Sequence, residues 1–298
     1  MIRALFVVGC AAAMVFCDAD PRLRAQAQSP RDSEVGAAAT VPRARQYDVK
    51  SRINEQTYRL LIALPPNAEP DVSYPALYVL DANVFFGTAV DAVALQAYTK
   101  VITPVTVVGI GYPTEDLELW RRLRAFDLSA APSLKPEERG QYGGGDVFLR
   151  VVEEELKPFV EARYRIDRSR QAIFGMSRGG EIALRILFHN PSAFATYVIA
   201  SPGILWNNSV ALSGEEAFAK RATVGELRLK VLLTSASDED PADVKSVADL
   251  AARLAVLNPR TLTVGRTVFD GEVHVTVPSA ALSRGLRFAF AQPSAAVP

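Results

Sequence analysis

Cysteine is nearly missing from this chain. Of 298 residues only Cys10 and Cys17 are cysteines, both close to the amino terminus. That excludes a disulfide framework, a cysteine-ligated metal and a cysteine nucleophile from everything downstream. A chain of this length buries enough apolar surface to do without cross-links. An excess of one charge is missing too, since 33 basic and 33 acidic residues cancel. No nucleic-acid footprint and no polybasic membrane patch is therefore expected. No apolar run is long enough to span a bilayer. Histidine is the third scarcity and the most useful one. Only His189 and His274 are available as a base near neutral pH.

What is present begins with a leader. Met1-Ile2-Arg3 is a short basic start, and Ala4 to Phe16 is apolar and rich in small residues. Small residues at Cys17-Asp18-Ala19 and Ala25-Gln26-Ala27 offer cleavage sites. The pattern is that of a secretory signal peptide, too short for a spanning helix. We expect a signal over 1–27, a lead-in without sustained period over 28–41, one domain over 42–292 and a tail over 293–298. The protein would be periplasmic or secreted, with no membrane span once the signal is removed.

From residue 46 onward strand-like and helix-like segments alternate. Strands are expected at 57–64, 76–80, 106–110, 197–200, 230–234 and 262–269, and a further one runs into Gly175. Helices are expected at 88–100, 145–164, 178–189, 241–257 and 278–290, with Pro158 kinking or ending the second. Short apolar strands alternating with helices imply a mostly parallel sheet covered on both faces. The fold class is α/β, a single domain with a lid-like insertion.

Gly175-Met176-Ser177-Arg178-Gly179 carries the chemistry. G-x-S-x-G between a strand and a helix is a nucleophile elbow, in which a strained turn lifts the serine hydroxyl above the sheet. Flanking glycines suit a turn so tight that a Cβ would collide with backbone. Ser177 is thus the expected nucleophile. His189 ends the helix that leads away from it, at 5.4 Å per turn, and cannot reach back. His274, after the last strand, is the expected base, third in the order Ser, acid, His. The acid should follow the strand 230–234, where Asp238, Glu239 and Asp240 compete. Asp240 precedes Pro241 as a helix cap would, Glu239 reads as solvated, and Asp238 is the expected acid. A Ser–His centre with no strong acid is the alternative. The oxyanion hole would use the backbone N–H of Arg178 and that of Asn83.

Several segments together resemble the esterase D-like family of α/β-hydrolases, which includes mycolyltransferases and the enterochelin and bacillibactin siderophore esterases. They are Tyr74-Pro75-Ala76-Leu77-Tyr78-Val79-Leu80-Asp81-Ala82-Asn83, Val108-Gly109-Ile110-Gly111-Tyr112, Glu153 to Phe159, Phe174 to Gly180, Ala200 to Trp206 and Gly271 to His274. The likeness is greatest to the siderophore-esterase-like branch. It implies a Ser–His centre, a small-molecule ester or cyclic-lactone substrate, no cofactor and no metal. Two positions depart from the family pattern. Ala82 replaces the glycine of Leu-Asp-Gly, and the acid loop lacks a Gly-x-x-Glu pattern, so the acid carries over only to Asp238.

Residues 113–146 form a long insertion between strand and helix, the kind of loop that often acts as a lid. Arg122 and Arg124 stand among its aromatics and could hold an anionic or catecholate substrate; a solvated charged loop is the plain alternative. Trp206 could wall the acyl or alcohol site, or simply pack in the core. The function expected is a serine carboxylic-ester hydrolase. The alternatives are an acyltransferase using the same Ser–His centre and a catalytically inactive binding module of the same fold. Oligomeric state is left open by the sequence.

Overall fold

The chain runs its apolar segments into one eight-stranded sheet with the order β1-β2-β4-β3-β5-β6-β7-β8. The computed structural model describes residues 40–292. The expected signal peptide and tail, and nearly all of the lead-in, lie outside the described residues. The strands are β1 (Ala44–Lys50), β2 (Thr57–Ala63), β3 (Tyr74–Val79), β4 (Thr106–Gly111), β5 (Ile166–Met176), β6 (Thr196–Ala200), β7 (Leu229–Ala236) and β8 (Leu262–Phe269). Strands β3 to β8 are parallel, while β1 and β2 add an antiparallel edge. Every residue of β4 and β6 is buried, as continuous apolar runs in a doubly covered sheet require.

The helices are α1 (Ala82–Tyr98), α2 (Leu117–Asp127), α3 (Gly145–Val151), α4 (Lys157–Glu161), α5 (Arg178–His189), α6 (Glu215–Thr223), α7 (Pro241–Ala255) and α8 (Val277–Phe290). Helices α1 and α8 bury Phe86, Val90, Leu282 and Leu286 against one face. On the other face α3, α5, α6 and α7 contribute Phe148, Ile182, Phe218 and Leu250. The expected single α/β domain and mostly parallel sheet are both found. Pro158 does interrupt its helix: a one-turn π segment, Val152–Leu156, joins α3 to α4, relaxing the ladder where proline lacks its N–H.

Three elements were not expected. Strand β1 lies at the sheet edge and alternates between half-buried and exposed positions. Helix α6 buries only Phe218 and Ala222. Helix α2 lies inside the insertion; Asp116 caps it by accepting from the N–H groups of Glu118 and Leu119. The insertion is also tied down. Asn207 donates to the Pro132 carbonyl at 2.8 Å and accepts from the Leu134 N–H. Glu181, in the first turn of α5, accepts from the Ala130 N–H at 3.0 Å. Burial pushes the Glu181 carboxyl up to about 7, against the pull of that N–H and of Arg178 and Arg185. No helix among the described residues is long and apolar enough to cross a membrane.

Candidate active site

Parallel strands deliver their loops to one edge of the sheet, the edge where α/β proteins build sites. Here β5, β6, β7 and β8 end in step. Met176 pairs with Ala200, Ala200 with Thr234, and Ala236 with Phe269. Ser177 follows β5, Ser201 follows β6, Glu239 follows β7 and His274 follows β8.

Ser177 alone makes the turn from β5 into α5. Its φ of 57° and ψ of −118° lie where L-residues are strained, at a cost of about 1–3 kcal/mol. The Ser177 N–H is held by the Ala200 carbonyl at 2.9 Å, which pins the turn to β6. The two motif glycines are not equivalent. A Cβ on Gly175 would run into the carbonyl of Gly179, whereas one on Gly179 would meet only ordinary contacts near 3.5 Å. Gly175→Ala should therefore destabilise the fold by about 3 kcal/mol or more, because backbone must move. Thermal unfolding will show it as a lowered Tm, and Gly179→Ala should lower Tm by less.

The carboxylate at His274 is Glu239, not the expected Asp238. Glu239 Oε1 lies 2.6 Å from His274 Nδ1. Its Oε2 accepts from the Ser201 hydroxyl and the Ala236 N–H, each at 3.0 Å. Burial works against the Glu239 charge, but these three donors hold its carboxyl below the ordinary range. Its side chain is 8% exposed, so it is not solvated as expected. The cause is turn geometry. Ser237 and Asp238 continue the chain away from β7, with the Ser237 N–H on the Phe269 carbonyl and the Asp238 N–H on the Glu272 carbonyl. Asp238 is left exposed, accepting among the described residues only from the Ser237 hydroxyl, while the longer Glu239 folds back. Asp240 caps α7 as expected, accepting from Ala242 N–H at 2.8 Å.

With Nδ1 engaged by Glu239, Nε2 is the imidazole nitrogen without a protein partner among the described residues. No hydrogen bond joins Ser177 Oγ to His274 there; in unliganded hydrolases this contact often closes only around substrate. His189 ends α5 beside Arg185, away from Ser177.

The backbone N–H groups of Arg178 and Asn83 have no partners among the described residues. Both stand in the first turn of a helix, where N–H groups are free to meet developing negative charge. The Asn83 side chain is locked in place. It accepts from the Tyr112 N–H at 2.9 Å and donates to the Tyr112 and Thr114 carbonyls. Gly111 leaves room for it, and Gly109 makes room for the Ala82 methyl. That offsets the departure at position 82.

The three specificity candidates separate. Arg124 is not a free cation. It forms a two-pronged pair with buried Asp81, at 2.7 and 2.8 Å, which corrects the expectation that it meets substrate. Arg122 is exposed on a cleft under the insertion. Trp206 is half-buried, with the Arg178 guanidinium 4.8 Å from its ring. The side chain of Arg178 was missed. It also lies 4.4 Å from the Tyr142 ring, donates to Ser129 Oγ at 3.0 Å, and has no carboxylate partner among the described residues. Sequence spacing carries no sign of these contacts, because Ser129 and Tyr142 come from the insertion and Trp206 from the loop after β6. No cluster of histidine, cysteine and carboxylate side chains suited to a metal occurs among the described residues.

The chain is similar to known proteins over most of its length. A family model described as "Putative esterase" matches residues 51–272. The chain is 36% identical over 264 residues to the ferri-bacillibactin esterase BesA of Bacillus subtilis, covering 85% of this chain and 91% of that one. It is 30% identical over 240 residues to the siderophore triacetylfusarinine C esterase of Aspergillus fumigatus, covering 72% and 81%. Among solved structures, the BES protein from Bacillus cereus superposes with a TM-score of 0.80 at 34% identity, covering 86% of this chain and 98% of that one.

Proposed function

The chain belongs to the putative-esterase family and is an esterase, and from that premise we propose that it hydrolyses siderophore esters through an acyl-enzyme on Ser177. The observation that carries the mechanism is the bonded pair of Glu239 and His274 across the strand ends from the strained Ser177 elbow. Substrate identity is supported by the relatives, which are named for siderophore esters.

The steps follow from the groups present. His274 Nε2 takes the Ser177 proton as Oγ attacks the ester carbonyl. Glu239 holds the imidazole with Nδ1–H toward itself and stabilises the imidazolium. The N–H groups of Arg178 and Asn83 receive the oxyanion. His274 then protonates the departing alcohol, and a water activated by the same nitrogen releases the acid. The secretory pattern of residues 1–27 supports action outside the cytoplasm.

A panel of esters tests this reading: short acyl p-nitrophenyl esters, feruloyl esters and a ferric catecholate trilactone. The expected result is turnover of the trilactone with kcat/KM well above that of the simple esters. Labelling at Ser177 by a fluorophosphonate is expected alongside it. Absence of both turnover and labelling would overturn the proposal.

A further inference from the structure

Helix α2 closes a cleft of about 650 Å³ between the insertion and the turn preceding β2. Its lining includes Tyr142, whose ring lies 4.4 Å from the guanidinium of Arg178, the residue after Ser177. Asn54 and Gln56 line it too. In its wall is Asp127, a carboxylate whose residue is only 4% exposed. Two tyrosines hold it through one oxygen. Tyr58 and Tyr112 both donate to Oδ2, each at 3.1 Å, and Asn54 in turn donates to the Tyr58 hydroxyl at 2.8 Å. Oδ1 has no protein partner among the described residues, and it is not one of the sealed, unbonded polar atoms. It opens onto the cleft.

A buried carboxylate with one oxygen fixed and the other free is an acceptor waiting for a donor, because leaving it unmet is costly. The cations Arg121 and Arg122 stand at the same cleft and disfavour an ammonium there. A neutral N–H fits better. Topology fixes which half of the ester points this way. His274 must protonate the leaving alcohol, and it comes from β8 at one edge of the sheet. The cleft lies by β2 and the segment after β4, toward the opposite edge.

We propose that this cleft seats the acid portion of the ester and that Asp127 Oδ1 accepts a hydrogen bond from an amide N–H in it. The inference rests on the esterase reading of Ser177. It makes the preferred substrate an ester whose acid carries an amide, rather than a plain acyl chain. Burial raises the Asp127 carboxyl to about 6, although both tyrosine hydroxyls pull it down. The acceptor is therefore charged at pH 8 and is lost as pH falls through about 6. The groups facing it are Tyr58 from β2, Tyr112 after β4, and Arg121 and Arg122 on its own helix.

The test uses p-nitrophenyl esters of N-acetylglycine, N-acetyl-β-alanine and acetamidohexanoic acid, each beside its N-methyl counterpart, at pH 8. The series moves the N–H along the cleft. At one length or more, kcat/KM should favour the N–H ester by at least about tenfold, chiefly through KM. Asp127→Asn should abolish or invert that ratio, because with its oxygen on the tyrosines its amide would present a donor to a donor. Tyr58→Phe, which leaves Oδ1 untouched, should keep the ratio. In wild type the ratio should shrink below pH 6, and any pH effect common to the two esters of a pair cancels in it. A ratio near one at every length, or one that survives Asp127→Asn in a folded variant, overturns this inference alone. No turnover of any ester overturns the esterase reading beneath it.

Discussion

Ser177→Ala is expected to lower kcat on any ester by about 10⁴- to 10⁶-fold, leaving a folded protein. The size follows from what is lost. On the proposed mechanism there is no acyl-enzyme without Oγ, and His274 and Glu239 have no nucleophile to serve; groups acting as a unit fail together. What survives is the pair of N–H donors at Arg178 and Asn83, enough for a small residual acceleration. The fold should persist because the Ser177 N–H, not its side chain, is bonded to Ala200. Alanine inherits the same strained φ of 57°, so Tm should stay close to wild type. Ser177→Gly removes the strain as well as the hydroxyl, and should raise Tm, since glycine occupies positive φ without penalty. Activity lost together with stability gained would mark the elbow as a place where strain is kept for chemistry. A Ser177→Ala variant with near-normal kcat would remove the serine from the mechanism.

The parts of the fold that the sequence reveals are those where hydrophobic pattern and burial coincide. Strands β4 and β6 are unbroken apolar runs, buried throughout, and helix α5 follows its elbow from the first residue. Helix α2 is hidden for the opposite reason. Its inward side chains include Arg124 and Asp127, held by Asp81 and by two tyrosines, so polar bonding replaces apolar period. Strand β1 is an edge strand with no fully buried position. The site divides along the same line. The candidates Ser177 and His274 stand out in the sequence because a motif or a scarcity isolates each. The partners of Arg178 and of Glu239 depend on which loops meet in space, and local spacing does not encode that.

The acid shows this most sharply, and two isosteric changes decide it. Asp238→Asn alters an exposed side chain bonded, among the described residues, only to its neighbour Ser237, and kcat should move less than about twofold. Glu239→Gln should lower kcat by about 10²- to 10⁴-fold. Both carboxylate oxygens of Glu239 accept: Oε1 faces His274 Nδ1, and Oε2 takes the Ser201 hydroxyl and the Ala236 N–H. An amide has only one accepting end. If its oxygen stays with Ser201 and Ala236, its NH₂ faces Nδ1 and forces the proton onto Nε2. That tautomer cannot take the Ser177 proton. If the amide turns over, the buried Ala236 N–H loses its acceptor, and the imidazolium loses its counter-charge either way. Ser201→Ala separates the two contributions. It removes one donor to Oε2 while leaving the carboxylate on the imidazole, so its loss should be about tenfold or less. Steady-state kcat on one short ester, with Tm measured for each variant, orders them as Glu239→Gln far below Ser201→Ala, and Ser201→Ala below Asp238→Asn. A collapse of kcat in Asp238→Asn with Glu239→Gln near normal would return the acid role to the exposed aspartate. It would also require the β7–α7 turn to reverse the two side chains in the working enzyme.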